Sequence, residues 1–413
     1  MTDTIVIVGA SLAGGRAAES LRKLGHEGRI VLIGAEKDRP YDRPPLSKKA
    51  MRGQHPEEKL YFRAEDYYEA NRIEVRFGTR AERLNGTARE VELAGGDKVA
   101  FDKLLIATGA DARHLTCDGA GLHGIHYLRT LEDARAIRGE LAPGKRVVIV
   151  GAGVIGMEVA ASCREEGLAV TVLEIAHLPL VRAFGPDIGE LYGRIHRERG
   201  VDVRCGVGVA SFRGSARVEE VVTTTGEVIP CDFVVAGIGV VPATAWLEGS
   251  GVSLDRGVLV NEHCETTLPG VYAAGDVARF FSPRLGRYTM IESVENAQTQ
   301  AGTAVNNMLG KRDVHSPVPW FWSDQYELKL QSVGDVEGYD RVVYRGSVED
   351  KAFAAFLLAG DRVKGVVGVN RLKEIAAAKK LISASIPVTD AMLADPEIPM
   401  SKVLAAGAPP AAT

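Results

Sequence analysis

The sequence predicts an α/β protein with two Rossmann-like dinucleotide-binding units followed by a C-terminal α+β domain. Three observations carry this expectation. A buried strand, a glycine-rich turn, a helix and a second strand ending near an acidic residue occupy Thr4–Glu36. The same series recurs at Lys145–Glu174. Around Ser316-Pro317-Val318-Pro319 the pattern changes to an aromatic cluster and a run of strand-like segments.

In the opening unit, Ile5-Val6-Ile7-Val8 is a short apolar run bounded by glycine, as a parallel strand buried on both faces requires. Gly9-Ala10-Ser11-Leu12-Ala13-Gly14 follows as a G-x-S-x-x-G variant of the dinucleotide fingerprint, and Gly15–Leu24 reads as helix. The glycines let the backbone turn tightly and approach a pyrophosphate, while the helix start supplies N–H groups and positive dipole. Arg29–Ile33 is the second strand. Glu36, 22 residues after Gly14, stands where a carboxylate accepts hydrogen bonds from a ribose.

Pro40, Pro44 and Pro45 then predict a stiff loop. It holds Arg43 and Lys48 either beside an anionic or electron-rich ligand or as solvated surface charges. Residues 56–72 read as helix, and Arg72–Arg76 and Arg89–Leu93 as strands. Lys98–Ile106 leads into the small-residue turn Ala107-Thr108-Gly109.

The second unit has the strand Lys145–Val150, a complete G-x-G-x-x-G at Gly151-Ala152-Gly153-Val154-Ile155-Gly156, and the helix Met157–Glu166. Its strand Ala169–Leu173 ends at Glu174, 18 residues after Gly156. A carboxylate there bonds both ribose hydroxyls and repels a 2′-phosphate, which favours NADH over NADPH. Two fingerprints imply two dinucleotides, one resident and one visiting. Glu158, in the first helical turn, either complements the helix dipole or reaches the place where a nicotinamide stacks.

Asp187–Gly200 reads as helix, Val201–Phe212 and Arg217–Thr225 as strands, and Phe233–Ala236 as a buried strand entering Gly237-Ile238-Gly239. Thr266–Val277 gives a turn, a strand and Gly275-Asp276 at the carboxyl end, where open α/β sheets bind ligands. Asp276 there either accepts from a polyol such as ribitol or caps a helix. The helix Glu292–Leu309 points its positive end at the same edge. In the last region, strand-like runs near 328–334, 341–345, 351–358 and 362–369 surround a hairpin turn at Gly360-Asp361, before the helix Arg371–Ser383. Trp320 and Trp322 read either as core or as ligand neighbours.

The totals bound the function. At 413 residues, 46% hydrophobic and 25% charged, the chain is expected to be a globular protein of two or three domains. A net charge of −4 points to neither nucleic acid nor a membrane surface, and no run approaches the ~20 apolar residues of a membrane span. No basic leader precedes the first strand, so a cytoplasmic location is expected. Cys117, Cys163, Cys205, Cys231 and Cys264 are never closer than 26 residues, so neither a local redox pair nor a metal site is expected.

These motifs, together with Pro40-Tyr41, Arg43-Pro44-Pro45-Leu46-Ser47-Lys48, Gly275-Asp276 and Trp320-Phe321-Trp322-Ser323-Asp324-Gln325, give a chain that resembles the NADH-dependent ferredoxin reductases of oxygenase systems over nearly its whole length. The resemblance implies a glutathione-reductase-like fold, non-covalent FAD, NADH as donor, and a small iron–sulfur ferredoxin of 2Fe–2S type as acceptor, feeding an oxygenase. It implies an FAD-binding domain at 1–110 with 237–315, an NADH-binding domain at 111–236, a C-terminal domain at 316–404 and a tail at 405–413. Gly9, Ser11, Ala13, Gly14, Glu36, Arg43, Lys48, Ala81, Thr108, Gly109, Arg129, Asp276, Val294 and Trp322 would bind FAD. Gly151, Gly153, Val154, Ile155, Gly156, Glu158, Glu174 and Gly239 would bind NADH. Lys48 and Glu158 would form the pair that assists hydride transfer, and Trp322, or else Trp320, would lie by the flavin beside the ferredoxin docking face. Lys311, Arg312, Arg371, Lys373, Lys379 and Lys380 are candidates for a basic face toward an acidic ferredoxin, or simply a solvated helix surface.

Disulfide reductases of this fold need a thiol soon after the first unit, where this chain has Pro44-Pro45-Leu46-Ser47. Two alternatives stay open at this stage. One is reduction of a small molecule such as a quinone, a radical or oxygen. The other is a redox-sensing interaction protein similar to apoptosis-inducing factor.

Overall fold

In the computed structural model, which describes residues 3–406, the apolar runs form two five-stranded parallel sheets. The first has the order Val271–Ala273, Lys103–Ile106, Ile5–Val8, Ile30–Ile33, Ile73–Arg76. The second has the order Asp202–Cys205, Ala169–Glu174, Arg146–Val150, Phe233–Ala236, Ile125–Tyr127. In each, the fingerprint strand lies between the strand that follows its helix and one that arrives after a three-stranded antiparallel meander. The meanders are Ala81–Asn85, Glu90–Leu93, Lys98–Ala100 and Val209–Arg213, Glu220–Thr223, Val228–Pro230. Strand order therefore reverses beside each fingerprint turn, and a crevice opens there at the strand ends.

Side-chain alternation explains why these strands are apolar throughout. Ile5, Ile7, Ile30 and Leu32 face the helices Leu12–Lys23 and Val294–Met308, while Val6, Val8, Val31 and Ile33 face the meander. The fifth strand of the first sheet, Val271–Ala273, is supplied only after the chain has built the second unit. The two connecting passages, Ala110–Ala112 and Val240–Pro242, pair antiparallel. This pairing seats the start of both passages beside the first fingerprint.

The C-terminal region is a five-stranded antiparallel sheet in the order Trp320–Gln325, Leu328–Gly334, Arg362–Val369, Ala352–Ala359, Arg341–Ser347. Gly360-Asp361 closes the expected hairpin, with Ala359 opposite Arg362 and Gly360 at φ 59°. One sheet face, with Val333, Phe356 and Val366, packs under the helix Leu372–Ser383. The other, with Leu328, Leu330 and Val367, shares a core with Met157 and Ile195 of the second unit.

Three local expectations are corrected. Residues 56–72 form only a 3-10 turn at Glu57–Lys59 and a short helix at Tyr67–Ala70. The Phe62 N–H donates to the Pro40 carbonyl, and Tyr61 bridges to Tyr41, so the proline loop draws the middle of this stretch out as an extended partner. Residues 201–212 are two strands rather than one. The chain leaves the parallel sheet at Cys205, turns at Gly206 (φ 75°) and starts the meander at Val209. The helix Met400–Ala406 runs past residue 404 because Met400 and Val403 are buried. The remainder of the expected tail, 407–413, lies outside the described residues. Among the described residues no helix is long and apolar enough to cross a membrane.

Two buried histidines set an acid limit on this fold. Burial holds both His196 and His315 at about 4, below the ordinary 6.5 of the unfolded chain. The unfolded state therefore binds more protons between these values, and stability falls as pH drops from about 6.5 toward 4. The slope is about 1.4 kcal/mol per pH unit for each histidine in mid-window. Urea midpoints measured from pH 7.5 to 5 should fall accordingly, and His315→Gln should flatten the curve. A flat wild-type profile would contradict the assignment.

Candidate active site

The crevice beside the first fingerprint is a cleft of about 790 Å³, lined from both units and from the C-terminal sheet. Its floor depends on close backbone contacts. A Cβ on Gly9 (φ 114°) would stand 2.0 Å from the Ala107 carbonyl oxygen, and one on Gly14 would stand 1.8 Å from the Gly9 oxygen. The expected Ala107-Thr108-Gly109 turn thus presses on the fingerprint turn, and Gly14 brings the helix against it. Gly151 and Gly156 repeat the arrangement, with Gly151 against the Gly237 oxygen.

Of the residues expected to bind FAD, Gly9, Ser11, Ala13, Glu36, Arg43, Lys48, Ala81, Thr108, Gly109, Arg129, Asp276, Val294 and Trp322 all line this cleft, whereas Gly14 is a packing position. Val154, Ile155 and Glu158 of the second set line it too. Gly151 and Gly156 pack the second turn, Gly153 has open space where a Cβ would lie, and Gly239 is equally open at φ 100°. Glu174 sits at the second turn, its carboxylate accepting from the Ala152 N–H at 2.6 Å and the Ala176 N–H at 2.8 Å.

Ser11 occupies the second glycine position of the first fingerprint, and its hydroxyl accepts from Arg43 Nε at 3.0 Å. Arg43 also pairs with Glu36 and donates to the Arg129 carbonyl. The Tyr41 hydroxyl donates to Glu36 and accepts from the Leu131 N–H. Ser11 is the N-cap of Leu12–Lys23 yet makes no side-chain cap bond. The N–H groups of the first turn are therefore left for an anion, with a guanidinium alongside.

At the far end, Arg129 Nη2 pairs with Asp276 Oδ2 at 2.9 Å. Asp276 is followed by the strand Ala278–Ser282, so it caps no helix. Glu292 stands beside it, its carboxyl pushed up by the cleft walls and by the Asp276 charge. Trp246 also lines the cleft and was missed by the sequence reading. Its indole N–H is buried in the protein without a hydrogen-bond partner among the described residues. A tryptophan in a three-residue 3-10 turn, Ala245–Leu247, offers no periodic signal.

Between these ends lies a charge pair whose carboxylate is buried and whose ammonium is half-buried. Glu158, 2% exposed, accepts from Lys48 Nζ at 2.7 Å, and the ammonium also reaches the Pro44 carbonyl at 3.2 Å. The 3-10 turn Pro44–Ser47 carries Ser47, whose hydroxyl donates to the same carboxylate oxygen. Ser323 donates to the other oxygen at 2.7 Å. One ammonium and two hydroxyls thus satisfy a carboxylate that burial alone would penalise by several kcal/mol. Trp322 lines the cleft and stacks on Trp320 at 4.9 Å, and Trp320 packs into the C-terminal core. Among the described residues no cysteine lines the cleft. Cys163 and Cys231 are buried, and burial pushes their thiols up to about 12 and about 11.

The glycine floor, the open helix starts and the Arg43 guanidinium fit a flavin dinucleotide along the cleft. Comparison with known proteins agrees. Residues 3–301 match the pyridine nucleotide-disulphide oxidoreductase family and residues 320–404 the reductase C-terminal family. The putidaredoxin reductase of Pseudomonas putida is 40% identical over 410 residues, 98% of this chain and 97% of that protein. The ferredoxin–NAD(+) reductase component of the anthranilate 1,2-dioxygenase system of Burkholderia cepacia is 38% identical over 405 residues, 97% of this chain and 99% of that protein. The crystal structure of the covalent putidaredoxin reductase–putidaredoxin complex superposes with a TM-score of 0.95 at 40% identity, covering 98% of this chain and 99% of that one. The chain therefore belongs to the pyridine nucleotide-disulphide oxidoreductases, among the ferredoxin reductases of oxygenase systems, as a flavoprotein that uses FAD and NAD(H).

Proposed function

We propose that this chain carries electrons from NADH to a small iron–sulfur ferredoxin, of 2Fe–2S type, that supplies an oxygenase in the cytoplasm. The observation that carries this reading is the pairing of half-buried Lys48 with buried Glu158 on the wall of a thiol-free cleft shared by both dinucleotide units. On this reading residues 1–110 with 237–315 hold FAD, 111–236 receive NADH, and the C-terminal domain offers the face for the acceptor.

Bound FAD would supply the redox chemistry that links a hydride donor to a one-electron acceptor. The residues of the chain hold and orient. Ser11, Arg43 and the first helix start bind the pyrophosphate, and the Arg129–Asp276 pair stands where a polyol is expected. Gly153 leaves the backbone open to the visiting dinucleotide, and Glu174 is held by two N–H groups at the ribose position. Lys48 supplies fixed positive charge where negative charge develops, with no reorganisation at the moment of reaction.

The basic face is reduced by the tertiary structure. Lys379 pairs with Glu295 and Arg371 with Glu374, which leaves Lys311, Arg312, Lys373 and Lys380 exposed. The Lys379–Glu295 pair sets the helix Leu372–Ser383 against the start of Val294–Met308, next to the cleft. Anaerobic titration should bleach the flavin with one equivalent of NADH, and added ferredoxin should restore the colour. Cytochrome c reduction should require that ferredoxin; equal reduction without it would favour a small-molecule acceptor. Ferredoxin turnover should fall steeply with salt while NADH oxidation by ferricyanide stays level. An equal response of both would remove the basic face from the account.

A further inference from the structure

A hydrogen-bonded chain runs behind the cleft wall and ends on Glu158. Ser323 Oγ donates to Glu158 Oε1 at 2.7 Å, and Gln325 Nε2 donates to Ser323 Oγ at 3.1 Å. Gln325 Oε1 lies 2.9 Å from His196 Nε2, and the Tyr326 hydroxyl lies 3.3 Å from His196 Nδ1. His196 and Ser323 are 0% exposed and Gln325 is 1% exposed. The members come from helix Val154–Glu165, helix Pro186–Glu198, strand Trp320–Gln325 and the turn that follows that strand.

The anion at the end determines the direction of each proton. A carboxylate only accepts, so Ser323 donates to it and takes its own bond from the Gln325 amide. The amide oxygen then accepts from His196 Nε2–H. Burial keeps His196 neutral at physiological pH, and its Nδ1 accepts from Tyr326. Four donors in series all point toward Glu158 and polarise one another in the same sense.

Two features argue that this is more than satisfied filling. An apolar core of the same volume is often equally stable or more so, yet this polar chain is continuous up to a functional carboxylate. Tyr326 also sits in the two-residue turn between Trp320–Gln325 and Leu328–Gly334 at φ 55°, where the companion hairpin has Gly360 at φ 59°. A bulky residue is strained in that conformation, and its hydroxyl is what the turn delivers to His196.

We propose that Ser323, Gln325 and His196 are positioning residues for the NADH reaction, aiming the Glu158 carboxylate and through it the Lys48 ammonium into the cleft. This rests on the reading of Lys48 and Glu158 given above. The C-terminal sheet then takes part in electron entry as well as offering a face for the acceptor.

The test is the flavin midpoint potential of the holoenzyme, together with rapid-reaction flavin reduction and thermal stability, in Ser323→Ala, Ser323→Thr, Gln325→Met and Lys48→Met. Ser323→Ala should lower the potential by about 30 mV, a tenfold change for a two-electron couple. It should slow limiting reduction about tenfold while the NADH Kd stays within about twofold. Ser323→Thr, which keeps the hydroxyl, should recover both readouts. Gln325→Met should move them in the same direction by less, and it serves if Ser323→Ala does not fold. If Lys48→Met shifts the potential but Ser323→Ala and Gln325→Met do not, even with lowered stability, the positioning role is overturned and the charge pair stands. If Lys48→Met leaves the potential unchanged, the reading of the pair itself fails.

Discussion

Lys48→Met should slow reduction of the bound flavin by NADH about 100-fold while weakening FAD retention far less. The magnitude is that of removing one preorganised donor from a developing charge, about 10²–10³ in rate. The asymmetry follows from the partners. Lys48 is held by Glu158 and the Pro44 carbonyl, whereas the groups placed to bind phosphate and polyol are Ser11, Arg43, Arg129 and Asp276. The substitution also leaves the nearly buried Glu158 with only Ser47 and Ser323 as donors. Glu158→Gln should therefore cost rate by itself, and the double variant should cost less than the two effects multiplied. Stopped-flow reduction measured beside FAD dissociation decides the matter. An unchanged reduction rate in Lys48→Met would remove the residue from the mechanism.

Arg345→Met should destabilise the C-terminal domain by about 3–5 kcal/mol, the usual cost of breaking a buried charge network from one side. Arg345 is 3% exposed, and its guanidinium donates to the carbonyls of Leu393, Asp395, Pro396 and Ile398. It also lies 3.6 Å from Glu374, which is only 8% exposed. One side chain thus fastens the irregular stretch between the helices Asp390–Ala394 and Met400–Ala406 onto the strand Arg341–Ser347. The variant should show an early urea transition and rapid proteolysis within 390–406, with the first fingerprint still protected from exchange. A midpoint equivalent to less than about 1 kcal/mol of loss would show that the carbonyls find other partners.

Comparing particular elements shows where local sequence suffices. The strand Ile5–Val8 and the turn beginning at Gly9 are legible because both are short-range events: four apolar residues buried on two faces, then a backbone approach that leaves no room for a Cβ. The hairpin at Gly360-Asp361 is legible for the same reason. Residues 56–72 are not, because the competing partner is the proline loop around Pro40, which helix periodicity cannot detect. Trp246 and Glu292 escaped because their significance lies in facing a cleft, a property of neither spacing nor composition. The basic residues near the end were half misleading, since Arg371 and Lys379 have partners that only packing reveals.

Two dinucleotide units, their glycine turns, the acidic residue of each, the absence of a nearby thiol pair and the family resemblance are all legible in the order of residues alone. Each is written in consecutive residues, because strand burial, turn geometry and helix starts are governed by neighbours along the chain. The surroundings of the charge pair are set by packing: Lys48 meets Glu158 across 110 residues, and Ser323 meets it across 165. A buried carboxylate must collect its donors wherever the fold brings them, and here they come from the proline loop and the C-terminal sheet.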